Sequence, residues 1–265
     1  MKRRRFCVKK KVTHVSLLRG SNIMLESFPS PANVLIIGAS GGLGAGFCEL
    51  LEAAPHVNLV RVARQKNDPK TAHICDICDE TSVAGLAETL KNQPPFQLII
   101  NATGLLHDNL LEVAPEKSLN QINATSMAQV LQVNAIGPAL ICKYLLPLMA
   151  TQGKAVMAHL SARVGSISDN QLGGWYSYRA AKAAQNMIVK TAALEVARRH
   201  PNRLVLGLHP GTVDTGLSAP FQSAVAAKKL FTPQQSAGYL LQVIDQAQAS
   251  DSGHVLAFDG QTIPA

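Results

Sequence analysis

The stretch GGWYSYRAAK, residues 173–182, carries Tyr176, Tyr178 and Lys182. Tyr178 and Lys182 are four residues apart, so on a helix they share one face. At the same offset Tyr176 meets Ala180, Tyr144 meets Leu148 and Tyr239 meets Val243. A free phenol, with a pKa of about 10, exchanges protons poorly at neutral pH, and a neighbouring ammonium favours the phenolate and lowers that value. The pair is therefore a candidate acid/base, in which Tyr178 gives or takes a proton at an oxygen and Lys182 tunes it. One such pair arises by chance roughly one time in five, so it gains weight only from the elements around it.

Those elements alternate. Short apolar runs rich in β-branched residues occur at 34–38, 58–63, 96–101, 154–161, 203–209 and 254–260. Between them, 43–53, 82–90, 128–150, 178–199 and 233–249 carry apolar residues at helical spacing. Strands buried on both faces and separated by helices predict an α/β fold, a Rossmann-type doubly wound parallel sheet flanked by helices. At 265 residues the chain suits one such domain, expected to span 32–265, with 1–31 as a basic extension. The stretch 215–232 has weak periodicity and reads as a flap. Leu217, Phe221 and Trp175 would give the pocket beneath it a partly apolar wall.

The sequence VLIIGASGGLGAGF sets a glycine turn after the first strand and before a helix. Gly38, Gly42 and Gly44 permit close backbone approach and leave helix N–H groups free for a pyrophosphate, with Ser40, Gly41 and Leu43 in the same turn. The spacing G-x-x-x-G-x-G differs from the G-x-G-x-x-G of the commonest dinucleotide fingerprint, and a tight turn without ligand is the alternative reading. At the end of the second strand a carboxylate would suit the 2′-hydroxyl of NAD and an arginine the 2′-phosphate of NADP. Arg64 stands there and no acid occurs before Asp68, which favours NADP(H) unless Arg64 is a plain surface residue.

Taken together, GASGGLG, NATG at 101–104, VNAIGP at 133–138, YRAAK at 178–182 and HPGTVDT at 209–215 resemble the short-chain dehydrogenase/reductase family. The resemblance runs from about residue 33 to the C-terminus, and SARVGSISDNQLGGWYSYRAAK is similar to the C-factor and sniffer-like carbonyl reductase branch. It implies a hydride transfer between a nicotinamide, NADP(H) preferred and NAD(H) possible, and a small carbonyl or alcohol substrate. By resemblance Tyr178 is the acid/base, Lys182 also holds the nicotinamide ribose, and Asn134 completes a proton relay; a local backbone role is the alternative for Asn134. Asp76 and Ile77 would contact the adenine, although Asp76 reads equally as a loop cap. Asn101, Ala102, Thr103 and Gly104 would border the cofactor, as would Pro210, Gly211, Thr212 and Val213. A homodimer or homotetramer is implied as well.

Two departures stand out. The substrate-orienting serine of the family falls on Ala162, with Ser161 and Ser166 as the candidate replacements, Ser161 first. Ile37 replaces the usual threonine ahead of the glycine turn. The missing serine also admits a non-catalytic cofactor-binding sensor on the same fold.

The net charge of +8 resides in residues 1–23, which carry eight of the 25 basic residues and no acid; the other 17 balance 17 acids. A neutral body excludes a broad phosphate-binding surface, so no nucleic acid is expected. The basic segment reads as a targeting peptide, a disordered arm or an extension upstream of a start at Met24. The longest apolar candidate, 138–150, is too short for a bilayer, and no membrane partner is expected. Five scattered cysteines, with Cys75 and Cys78 as a lone CxxC, fit a reducing, cytoplasmic setting without a metal site.

Overall fold

The computed structural model describes residues 25–66, 68–224 and 230–265, so the expectations for residues 1–24 lie outside the described residues. Strand β1 (Ala32–Ile37) explains the layering. Its alternate side chains enter different cores, Val34 and Ile36 on one face of the sheet and Leu35 and Ile37 on the other. The first face is covered by α1 (Gly42–Glu52) through Leu43, Phe47 and Leu51, and by α6 (Pro233–Gln246) through Ala237, Leu240 and Ile244. The second is covered by α2 (Glu80–Leu90) through Val83, Leu86 and Leu90, and by α4 (Gly137–Leu145) through Ile141 and Leu145. Helix α5 (Tyr176–Ala197) packs Val189 and Ala193 against Val205. Each fully buried leucine or phenylalanine contributes roughly 1.5–3 kcal/mol, so truncating Phe47 alone would remove a large share of a domain's net stability.

The remaining strands of the main sheet are β2 (Val57–Ala63), β3 (His73–Ile74), β4 (Leu98–Asn101), β5 (Ala155–Leu160), β6 (Arg203–His209), β9 (Val255–Ala257) and β10 (Thr262–Ile263). Their order is β10-β9-β6-β5-β4-β1-β2-β3, parallel except for the β9–β10 pair. This is the mostly parallel Rossmann-type sheet expected. β1 pairs with β2 on one side and β4 on the other, so the strand order reverses there and leaves a crevice at their carboxyl ends. Gly38 follows β1 and the segment 102–104 follows β4, both at that crevice.

Three features depart from the sequence reading. Residues 25–31, assigned to the extension, include Leu25 and Phe28, which are buried in the first core, while Ser27 bonds to Asp245. Helix α3 (Ala124–Leu131) runs into α4 through a π turn, Gln132–Ile136. With its last turn the composite Ala124–Leu148 is 25 residues long and apolar enough to span a bilayer by length and composition, unlike the shorter run read from the sequence. It serves here as a core helix, with Val130, Ile141 and Leu145 packed inward. A second, two-stranded parallel sheet pairs β7 (Thr212–Val213), just before the 215–232 stretch, with β8 (Leu230–Phe231) near its end; residues 225–229 lie outside the described residues.

Candidate active site

The start of α5 is built by an unusual local backbone. Gly173, Gly174 and Trp175 all have positive φ, and Trp175, at φ 53° and ψ 45°, is left-handed although it is not glycine. Such a conformation is strained and persists only where surrounding contacts fix it. Here the Trp175 N–H donates to the Glu116 carbonyl at 2.5 Å. The Glu116 carboxylate then accepts from the Ser177 N–H at 3.1 Å and from the Ser177 hydroxyl. Glu116 is buried and comes from the loop between β4 and α3, so a distant carboxylate caps the helix that carries Tyr178. Sequence reasoning missed it because nothing local to α5 announces a cap.

Tyr178 and Lys182 are 8% and 2% exposed, and the Lys182 ammonium lies 5.6 Å from the Tyr178 ring centroid. Lys182 Nζ donates to the Leu160 carbonyl at 2.8 Å and to Gln185 Oε1 at 2.9 Å. The expected lowering of the phenol by the ammonium is not what this environment produces. Burial pushes the Tyr178 hydroxyl well above its usual range and the Lys182 amine down to about 7. Desolvation outweighs the neighbouring charge, which leaves Tyr178 a neutral proton donor.

A cavity of about 580 Å³ joins this pair to the glycine turn. Of the residues expected from sequence, its wall includes Gly41, Gly42, Leu43, Ala102, Thr103, Gly104, Ser161, Tyr178, Lys182, Pro210, Gly211, Thr212 and Val213. Others stand behind the wall. Gly38, at φ 82°, accepts from the Gly41 N–H at 3.0 Å. A Cβ on Gly44 would collide with the Gly38 carbonyl, so helix and strand meet there only because no side chain intervenes. Asn101 Oδ1 accepts from the Thr103 hydroxyl at 2.7 Å and holds that loop. Its Nδ2 lies 3.3 Å from His159 Nδ1, and His159 Nε2 lies 3.3 Å from Cys142 Sγ. Burial pushes the His159 imidazole down to about 3, so this internal chain is uncharged.

Asn134, buried in the π turn, donates to the Leu105 carbonyl at 2.7 Å and the Val130 carbonyl at 2.9 Å, and accepts from the Leu105 N–H at 3.2 Å. Its side chain is thus committed to the loop after β4 and not to Lys182. Asp76 Oδ1 accepts from the Cys78 N–H at 2.9 Å, the loop-cap alternative, and buried Ile77 packs where a Gly137 side chain would stand. Ser40 and Arg64 are exposed and lie outside the cavity lining, and Arg64 makes no ion pair among the described residues. Burial pushes Cys75 upward and Cys78 to about 11, so the CxxC thiols stay protonated at neutral pH.

The two serine candidates sit differently. Ser161 lines the cavity, but its hydroxyl donates to Asn186 Oδ1 on α5 at 2.6 Å. Ser166 is buried elsewhere, accepting from the Asp169 N–H at 3.1 Å. Ala162 joins an apolar cluster with Leu106, Val164, Trp175, Tyr178 and Phe221. Phe221 packs 5.0 Å from Trp175 and 5.9 Å from His107, ring centre to ring centre.

The turn fits a dinucleotide. Helix α1 has no side-chain cap and no acid in its first turn, and a Cβ on Gly42 would stand 2.5 Å from Thr215 Cγ2. Thr215 therefore belongs to the same cradle. It closes the HPGTVDT motif, a signal the sequence reading quoted and did not use. In the wall near Arg163, His209 keeps a buried Nδ1 without a partner, and burial holds its ring down at about 4.

Comparison with known proteins agrees with this geometry. The family model described as short chain dehydrogenase matches residues 32–226. The chain is 31% identical over 147 residues to C-signal of Myxococcus xanthus, covering 56% of this chain and 83% of that one. It is 27% identical over 237 residues to a 1-hydroxy-2-glutathionyl-2-methyl-3-butene dehydrogenase of Rhodococcus sp. strain AD45, covering 86% and 97%. Among solved structures, the NADPH-bound carbonyl reductase from chicken fatty liver superposes with a TM-score of 0.76 at 23% identity, covering 91% of this chain and 97% of its own. The carbonyl reductase Sniffer of D. melanogaster gives 0.75 at 20% identity, covering 89% and 100%. With the glycine turn, crevice and Tyr178–Lys182 helix all inside the matched span, the chain belongs to the short chain dehydrogenase family.

Proposed function

We propose that the protein is an NADP(H)-dependent oxidoreductase acting on a small, flat, apolar carbonyl or the corresponding alcohol, with Tyr178 as acid/base. The observation that carries this is the burial of Tyr178 and Lys182 in the wall of the cavity that the glycine turn opens into. When bound, the nicotinamide supplies or accepts the hydride at the substrate carbon. The chain's part in reduction is the proton: the Tyr178 hydroxyl donates it to the carbonyl oxygen as negative charge develops there, and Lys182 supports the resulting phenolate. The 41–44 turn and Thr215 would hold the pyrophosphate, the 102–104 and 210–213 loops would border the nicotinamide, and Asp76 with Ile77 would serve the adenine. Arg64, exposed and without an ion pair among the described residues, would meet a 2′-phosphate, which supports a preference for NADP(H). Ala162, Val164, Trp175 and Phe221 form an apolar stretch of the wall, which favours a substrate with an apolar body beside its carbonyl.

NADPH and NADH oxidation across ketones, aldehydes and quinones tests this reading. Turnover of aromatic or alicyclic carbonyls with NADPH, and little with sugars or keto acids, is expected. One observation favours a second reading, a cofactor-binding sensor: Ala162 carries no hydroxyl and Ser161 is turned to Asn186. NADPH binding with no turnover on any carbonyl would support the sensor and reject the enzyme.

A further inference from the structure

Gln185 lies one helical turn beyond Lys182 on α5 and is completely buried, 0% exposed. Its Oε1 accepts from Lys182 Nζ at 2.9 Å, and its Nε2 is buried without a hydrogen-bond partner. An ammonium is a donor only, so the carboxamide oxygen is the atom that must face it. A buried amide with an unpaired N–H is costly, and an apolar residue would pack there without that cost. The position therefore keeps glutamine for its oxygen.

The Lys182 ammonium has three donors. Two are taken by the Leu160 carbonyl on β5 and by Gln185, and the third remains for the cavity that Lys182 lines. The titratable groups that face it are Tyr178, on its own helix, and His159, on β5, which is held neutral by burial. No carboxylate pairs with Lys182 among the described residues, and burial alone drives its amine downward. Neutral acceptors thus carry the whole task of keeping this buried amine charged.

We propose that Gln185 is a positioning residue whose carboxamide oxygen fixes the Lys182 ammonium toward the cavity and favours its charged form. This inference rests on the reading of Lys182 as part of an oxidoreductase site. Removing the oxygen weakens the charged form, and a carboxylate in its place strengthens it. The apolar change must therefore lower the Lys182 titration, which a pure packing role would not do, and the carboxylate sets the upward limit of the response.

The test compares Gln185→Met, similar in length and apolar, with Gln185→Glu in the full chain. Lys182 is followed by NMR through its labelled Cε resonance, assigned by its loss in Lys182→Met, and the pH profile of NADPH-dependent kcat/KM is recorded in parallel. Gln185→Met should lower the Lys182 titration and the basic limb of the profile by about one pH unit, and Gln185→Glu should raise both. Should Gln185→Met fail to fold, Gln185→Leu takes its place, because the downward shift on losing the oxygen is the deciding result and a carboxylate beside an ammonium raises its titration in any case. Unmoved titrations, or equal losses of rate at every pH, would overturn the proposal. If the unaltered protein shows no turnover, the oxidoreductase reading fails, while the NMR titrations still decide the role of Gln185.

Discussion

Glu116→Ala should unfasten the start of α5, the helix that carries Tyr178 and Lys182. α5 begins without a side-chain cap and without an acid in its first turn, so the Glu116 carboxylate, from the loop between β4 and α3, supplies both functions. Alanine leaves the Ser177 N–H and hydroxyl unpaired at a residue that is 3% exposed. A lost cap costs about 1 kcal/mol, and stranding buried donors that had faced a charge adds about 2 kcal/mol, so the sum is about 3 kcal/mol. At roughly 2–4 °C per kcal/mol for a chain of this size, Tm should fall by about 6–12 °C. Glu116→Gln keeps an acceptor and loses only the charge, so it should cost about 1 kcal/mol. Urea unfolding of both variants, with kcat measured at a temperature where each is folded, makes the comparison. Turnover should drop in Glu116→Ala because Trp175, held through the Glu116 carbonyl, and Tyr178 share that turn. A Glu116→Ala protein within 0.5 kcal/mol of the unaltered one, on the order of an ordinary surface substitution, would refute the reasoning.

Arg64→Ala should raise the Kd for NADPH about tenfold and leave that for NADH nearly unchanged, as measured by fluorescence titration; equal losses for both cofactors would remove Arg64 from the phosphate site. Ala162→Ser should raise kcat/KM for ketones by about tenfold, short of the 10²–10³ lost when an established donor is deleted, because nothing around it was built to orient the new hydroxyl. Ser161→Ala should cost about 1 kcal/mol of stability through the lost Asn186 bond and leave kcat/KM within about threefold, so a collapse of turnover would return Ser161 to the catalytic set. For Lys182 the folded amine titrates near 7 against 10.5 for an ordinary lysine, so between those values the unfolded chain binds more protons and stability rises with pH. Lys182→Met should remove that rise and be relatively more stable at neutral pH, as read by urea unfolding from pH 6 to pH 10.

The strands that bury both faces were legible in the sequence, because a run such as VLIIG leaves little choice of environment. The two-residue strands β3, β7, β8 and β10 were not, since a pair of residues carries no period. Nor was the π turn at Gln132–Ile136, whose extra residue changes the helical phase too little to show in so short a stretch. Leu25 and Phe28 lay beside a basic segment and took on its reading, although their side chains belong to the core. At the site, residue types and motif order found Tyr178, Lys182 and the glycine turn. They did not find Glu116, which is 61 residues from the Ser177 it caps. Nor did they find the dominance of burial over charge at Tyr178, because sequence displays neighbouring charges and hides desolvation. The turn of Ser161 toward Asn186 is likewise a matter of which face a strand end presents to α5.

The most direct test of the central claim is Tyr178→Phe, with kcat/KM for an aromatic ketone and the Kd for NADPH measured on the same preparations. Loss of the phenolic proton should lower kcat/KM by about 10²–10⁴-fold and leave NADPH binding within about twofold. Turnover retained in the phenylalanine variant would contradict the account, because the proton would then come from a group other than Tyr178.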